Sequence, residues 1–149
     1  MDQFHMDAMC ARLVRRADQF DVAVTEDVFG DILSDLTGEI AGSLGGAPSI
    51  NASDAHAMAQ ASHGSAPDIA GRDAADPTAM ILPTAMLLDW LATRRDDTRL
   101  AGAAGRIEQA VGAAIRSGAA TADLGGSAGC SGFAAAVAAV RAPDRPIGR

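Results

Sequence analysis

Asp31 and Asp35 lie four residues apart in a stretch whose apolar spacing predicts a helix, so their carboxylates should project from one face, one turn apart. Carboxylates at this spacing suit a hard divalent cation such as Mg²⁺ or Mn²⁺, which takes oxygen ligands and keeps positions open for water and substrate. Asp7, on a preceding predicted helix, is a candidate third ligand. The alternative is that Asp31 and Asp35 only complement a helix dipole and that Asp7 is a solvated charge. Spacing alone leaves both interpretations open.

A second candidate site is the segment HGSAPDIAGRDAADP at residues 63–77. Gly64 and Gly71 allow a ligand to approach the backbone closely, and His63 offers a flat ring. The Asp68 carboxylate could accept hydrogen bonds from a ribose diol. The alternative is a turn-rich connection without a ligand. The sequence contains no GxGxxG pattern, so the dinucleotide-binding fingerprint gives this segment no support.

Helices and short strands should position these residues. Apolar residues at three- and four-residue spacing predict helices over 6–14 and 28–44. Residues 20–25 (FDVAVT) are rich in β-branched side chains and bounded by charge, which predicts a buried strand between them. Short extended pieces are predicted at 49–52 and 57–62. Strands interspersed with helices indicate the α/β class.

The second half of the chain is predicted to be helical. Pro77 should occupy the first position of a long apolar helix ending at Arg95, because its missing N–H has no helical partner there. Pro83 in the interior should kink this helix. The remaining features are a helix over 97–117, a glycine-rich turn over 124–129, a short helix over 133–140 and a flexible tail over 142–149. We therefore expect one structural segment over 1–141, followed by the tail.

Composition restricts the partners and the compartment. The chain has 149 residues, a net charge of −7 and 48% hydrophobic residues, which argues for a folded protein and against nucleic acid or membranes as partners. Cys10 and Cys130 lie at opposite ends of the chain without a CxxC motif, so no disulfide is expected. The first ten residues lack a cationic leader and an apolar core, so we expect a cytoplasmic protein.

Two stretches carry a resemblance to a known family. They are FDVAVTEDVFGDILSDLTGEIAGSLGGAPSINAS (20–53) and HGSAPDIAGRDAADPTAMIL (63–82). Both resemble the C-terminal part of the isocitrate/isopropylmalate dehydrogenases, the metal-dependent β-decarboxylating dehydrogenases that include D-malate and tartrate enzymes. The resemblance extends from about Asp7 to Phe133 and covers only the latter part of a typical member. It implies an α/β fold with helices packed on a small mixed sheet.

The resemblance also implies a reaction and a metal site. A 2-hydroxy acid of the 3-isopropylmalate, isocitrate or malate/tartrate type would give a hydride to NAD⁺ and then lose its β-carboxylate as CO₂. Asp31 and Asp35 fall on the family's metal-binding aspartates of one subunit, and Asp7 falls on the aspartate that the other subunit supplies. The implied partners are therefore Mg²⁺ or Mn²⁺ and a second copy of the chain or a complete homologue.

The family's adenosine loop is matched by one set of residues. They are His63, Gly64, Ser65, Ala66, Asp68, Ile69 and Asp76. Asp68 followed by Ile69 resembles the NAD-preferring members, since a carboxylate there bonds the ribose hydroxyls and repels a 2′-phosphate. Asp76 departs from the family pattern, which has Asn at this adenine contact.

No catalytic residue is assigned. The chain contains no Tyr and no Lys, whereas the family moves protons with one of each and holds substrate carboxylates with an arginine cluster in its N-terminal part. The resemblance therefore implies a dehydrogenase segment that is inactive alone. The alternatives are a non-catalytic, truncated remnant and a nucleotide-binding partner subunit of a complete paralogue.

Overall fold

A computed structural model describes residues 2–140, which form five α-helices and one β-hairpin. The helices are α1 (Met6–Arg16), α2 (Asp27–Ala41), α3 (Thr78–Arg95), α4 (Thr98–Arg116) and α5 (Cys130–Ala139), and the strands are β1 (Pro48–Ala52) and β2 (Ala57–Ala61). The predicted α/β class is confirmed. The predicted helices and the extended pieces at 49–52 and 57–62 all form, with their ends shifted by a few residues. The predicted tail at 142–149 lies outside the described residues.

The sheet of the described residues is an antiparallel hairpin with Ile50 opposite Ala59, not the mixed sheet that the resemblance implies. A mixed sheet needs parallel neighbours, and residues 2–140 supply none to either strand. Arg94, in the last turn of α3, holds the hairpin turn by donating to the carbonyl oxygens of Ser53 and Asp54. The hairpin is thereby fixed against α3.

The predicted buried strand at 20–25 is wrong. This segment forms no strand, and Val22 and Val24 are 78% and 77% exposed. A strand exists only when a neighbouring strand pairs with its N–H and C=O groups, and no described strand lies beside this segment. The β-branched pattern therefore marks a surface that has no partner among residues 2–140.

Two apolar cores organise the helices. In the first, Met9 and Leu13 of α1 pack against Leu33 of α2. In the second, Phe133 of α5 is fully buried with Val111 of α4. The first core orients α2, which bears the two aspartates, and the second fixes α5.

Local chemistry explains how α3 begins and continues. Pro77 is the N-cap residue, one position earlier than predicted, and the Asp76 carboxylate accepts the Thr78 N–H. Pro83 is buried and α3 continues through it, although its ring removes one backbone hydrogen bond. Pro77 and the hydrogen bond from Thr78 to Asp76 therefore set the end of the loop that precedes α3.

Two further observations concern single groups. Cys10 and Cys130 are free and half-buried, so the expectation of no disulfide is confirmed.

Among residues 2–140, no helix is both long and apolar enough to cross a membrane.

Candidate metal and cofactor site

The two aspartates of α2 share its solvent-facing side. The helix begins after Glu26, whose extended backbone stops it from continuing toward the N-terminus. Leu33 lies two residues from both Asp31 and Asp35, so at 3.6 residues per turn it points away from both. Because Leu33 is buried against α1, both carboxylates are exposed, as the helical spacing predicts.

Both carboxylates are available for a ligand. Among residues 2–140, neither Asp31 nor Asp35 has a side-chain hydrogen bond or an ion pair, and Ser34 Oγ bonds only the main-chain oxygen of Asp31. Two negative charges one turn apart on a helix repel each other by about 0.2–0.5 kcal/mol. A cation between them would relieve this repulsion.

Asp7 lies apart from this pair in the single chain. It is exposed in the first turn of α1, where its Oδ1 accepts the N–H of Ala8 at 2.8 Å. No group of three His, Cys, Asp or Glu side chains in the described part of the chain could hold a metal ion. One chain therefore presents two of the three predicted ligands together, and Asp7 would have to act on another copy.

The predicted cofactor loop follows β2. His63 is half-buried, and its Nδ1–H donates to the carbonyl oxygen of Gly64 at 2.8 Å. Ala66 adopts a left-handed backbone with φ of +41°, which turns the chain into the 3₁₀ turn Pro67–Ile69. Asp68 lies exposed in this turn without a side-chain partner among the described residues. Its carboxylate can therefore face a ligand in solvent.

The exposed and buried members of the predicted loop differ in what they can do. Gly64, Ser65, Ala66 and Asp68 are exposed, and Ile69 is half-buried. Asp76 is only 6% exposed, and its Oδ1 accepts the Thr78 N–H at 2.8 Å. Its Oδ2 is buried and has no hydrogen-bond partner in the described part of the chain. Asp76 therefore acts first as a cap of α3, and its direct contact with a ligand stays a prediction.

Sequence reasoning missed the contact between Asp73 and the start of α5. Its carboxylate accepts the N–H of Ser131 at 2.8 Å and the Oγ–H of Ser131 at 2.7 Å. These hydrogen bonds hold the pKa of Asp73 below its ordinary value. The two residues are 58 positions apart, so no local pattern could have shown the contact.

Sequence comparison decides the family. The family model described as "Isocitrate/isopropylmalate dehydrogenase" matches residues 1–137. The chain belongs to the isocitrate/isopropylmalate dehydrogenase family.

Individual relatives agree with this assignment. The chain is 46% identical over 132 residues to the isocitrate/homoisocitrate dehydrogenase of Thermus thermophilus, an alignment that covers 89% of this chain and 37% of that protein. It is also 46% identical over 127 residues to the 3-isopropylmalate dehydrogenase of Zymomonas mobilis, which covers 85% of this chain and 35% of that protein. The chain thus spans little more than a third of the length of either relative.

A solved structure supports the same fold. The chain superimposes on isocitrate dehydrogenase from Methylococcus capsulatus with a TM-score of 0.80 at 40% identity, covering 89% of this chain and 38% of that one. The chain therefore has the fold of part of an isocitrate dehydrogenase.

Proposed function

We propose that this chain supplies the metal-binding aspartates and the adenosine-binding loop of an NAD-dependent β-decarboxylating dehydrogenase. The observation that carries the proposal is the pair Asp31 and Asp35, two exposed carboxylates one turn apart that lack protein partners in residues 2–140. The substrate class is a 2-hydroxy acid of the isopropylmalate, isocitrate or malate/tartrate type. The names of two relatives support the isocitrate and 3-isopropylmalate members of that class.

The residues fit a hard divalent cation. Asp31 and Asp35 would provide two carboxylate ligands to Mg²⁺ or Mn²⁺, and Asp7 of a second copy would provide the third. Bound there, the cation would polarise the substrate hydroxyl and stabilise the charge of the enolate. The side chains of this chain would hold that cation at the solvent-facing side of α2.

The loop after β2 fits the adenosine end of NAD. The Asp68 carboxylate is exposed and can accept hydrogen bonds from both ribose hydroxyls, while it would repel the 2′-phosphate of NADP. One relative is named as an NAD-dependent enzyme, the isocitrate dehydrogenase [NAD] subunit alpha of Homo sapiens. We therefore assign NAD as the cofactor of this chain.

Association with another chain is part of the proposal. Seven large apolar side chains of α1, α2 and the segment between them are exposed, namely Val14, Val22, Val24, Val28, Phe29, Ile32 and Ile40. Exposed apolar side chains in such number favour a protein partner. We propose that this surface binds a second copy of the chain or a complete homologue, which would bring in another Asp7.

A non-catalytic role is the second candidate. The absence of Tyr and Lys from the sequence favours it, because this chain cannot itself supply the tyrosine and lysine that the family uses for proton transfer. In that case the chain would be a truncated remnant or a nucleotide-binding partner of a complete paralogue. NADH formation by a mixture of this chain with a complete but metal-site-deficient relative would favour the catalytic role.

Saturation-transfer NMR with NAD⁺ and NADP⁺ tests the cofactor assignment. The wild-type chain should give transfer to the adenosine protons of NAD⁺ and weaker transfer to NADP⁺. Asp68→Ser should reduce this preference, and Asp54→Ser, at an exposed aspartate in the hairpin turn, should leave it unchanged. Equal transfer to both cofactors in the wild type would contradict the role of Asp68.

A further inference from the structure

Asp73 connects the cofactor loop to α5. Its backbone is left-handed, with φ of +55°, and it lies in a turn before α3. The carboxylate accepts both the N–H and the Oγ–H of Ser131, and the main-chain oxygen accepts the Cys130 N–H at 2.8 Å. Three hydrogen bonds thus join one loop residue to the first turn of another element.

The first turn of α5 depends on this contact. Its N-cap residue is Gly129, which has no side chain to satisfy the free N–H groups at the start of the helix. Asp73 supplies from another part of the chain the acceptor that a serine or aspartate cap would normally provide. Its negative charge also lies at the positive end of the α5 dipole.

The other side of α5 is fixed in the protein interior. Phe133, two residues after Ser131, is fully buried against Val111 and Ala114 of α4. A loop residue that is hydrogen-bonded to Ser131 is therefore attached to a helix that is anchored in the core. Asp68 and Asp76 lie five residues before and three residues after this attachment point.

We propose that Asp73 is a positioning residue that holds the cofactor loop, residues 63–76, in its NAD-binding conformation by capping α5. The inference rests on the proposed role of this loop in binding NAD. In this role the carboxylate of Asp73 needs no contact with the cofactor. It acts by restraining the backbone on which Asp68 is carried.

Gly129 gives an independent way to disturb the contact. A Cβ at this position would overlap Asp73 Oδ2 and would lie 2.8 Å from the main-chain oxygen of Asp73. The backbone of Gly129, with φ of −77° and ψ of 169°, is one that alanine adopts easily. Gly129→Ala should therefore displace the Asp73 carboxylate without straining its own backbone.

Hydrogen–deuterium exchange of the full chain, together with NAD⁺ titration, tests the proposal. Asp73→Asn introduces a side chain that also tolerates the left-handed backbone but carries no charge. Ser131→Ala removes one hydrogen-bond donor, the hydroxyl. Asp73→Asn and Gly129→Ala should each raise exchange in residues 63–76. Each should also raise the dissociation constant of NAD⁺ about tenfold, which corresponds to about 1.4 kcal/mol of binding free energy. Ser131→Ala should also raise exchange and weaken NAD⁺ binding. The effect of the double variant Asp73→Asn with Ser131→Ala should be smaller than the sum of the two single effects.

The control is Asp18→Asn, which alters an exposed, hydrogen-bonded aspartate next to α1 and should leave exchange in residues 63–76 unchanged. Wild-type exchange in this loop for both Asp73→Asn and Gly129→Ala would overturn the proposed restraint. Faster exchange with unchanged NAD⁺ affinity would overturn the positioning role. If the wild type bound no NAD⁺, the proposed function and the positioning role would both fail, while the exchange data would still report whether the restraint exists.

Discussion

The Oγ–H of Ser43 donates a hydrogen bond to Asp123 Oδ2 across 80 residues of sequence. This bond joins the segment after α2 to the turn before α5. Partial burial acts to raise the pKa of Asp123, but hydrogen bonding, chiefly from Ser43, outweighs it and leaves the pKa below its ordinary value. The carboxylate form is therefore the form that stabilises the fold.

Ser43→Ala should lower the free energy of unfolding by at least about 1 kcal/mol near pH 7, since it removes this hydrogen bond and the one that Ser43 Oγ accepts from the Gly45 N–H. The folded pKa of Asp123 lies below its unfolded value, so its contribution is complete above the unfolded pKa of 3.8 and is lost as pH falls through the folded pKa. Urea unfolding should show a larger deficit for Ser43→Ala at pH 6 than at pH 3. Ser34→Ala is the control on α2 and should change stability little at either pH. An equal deficit for Ser43→Ala at both pH values would contradict the role of Asp123.

Asp76→Asn should stabilise the chain. Among residues 2–140 the Asp76 Oδ2 is buried without a hydrogen-bond partner, and both Asp76 and the Asp123 carboxylate border Gly45. An amide keeps the Oδ1 that accepts the Thr78 N–H and removes a negative charge from this buried position. The midpoint of urea unfolding should rise for Asp76→Asn and fall for Asp76→Ala, which loses the cap. A lower midpoint for Asp76→Asn would show that the charge is needed.

Phe133→Ala should be strongly destabilising. The ring is fully buried in the core between α4 and α5, where its removal should cost about 3–5 kcal/mol. Phe4→Ala is the comparison, because Phe4 is 37% exposed and should cost less. Guanidinium unfolding followed by circular dichroism measures both. Similar midpoints for the two variants would mean that α5 contributes little to the core.

The chain alone should not form NADH from NAD⁺, Mg²⁺ and isocitrate, 3-isopropylmalate, malate or tartrate. Its sequence has no Tyr and no Lys, and positioned acid–base groups typically contribute about 10²- to 10⁴-fold each. Absorbance at the NADH band measures the rate, with a complete family enzyme as the positive control. Turnover near that of the control would mean that other residues of this chain supply the acid and base.

Local patterns predicted the helices and the face that carries Asp31 and Asp35, because helical periodicity is set by residues within a few turns. The segment 20–25 was predicted wrongly, since β-branched composition cannot supply the neighbouring strand that pairing needs. The contact between Asp73 and Ser131 could not be foreseen either, because it joins residues 58 positions apart. The same separation in sequence hides the bond between Ser43 and Asp123. The assignment of Asp7, Asp31 and Asp35 to a metal stays a prediction.

Calorimetric titration with Mn²⁺ tests most directly whether Asp31 and Asp35, the exposed pair on α2, bind a divalent cation. The wild-type chain should bind Mn²⁺ weakly, and the double variant Asp31→Asn with Asp35→Asn should lose that binding. The double variant Asp21→Asn with Asp89→Asn removes the same charge from exposed positions elsewhere and should bind like the wild type. Equal Mn²⁺ affinity in the wild type and in the Asp31 and Asp35 double variant would contradict the account and would leave the pair as solvated helix charges.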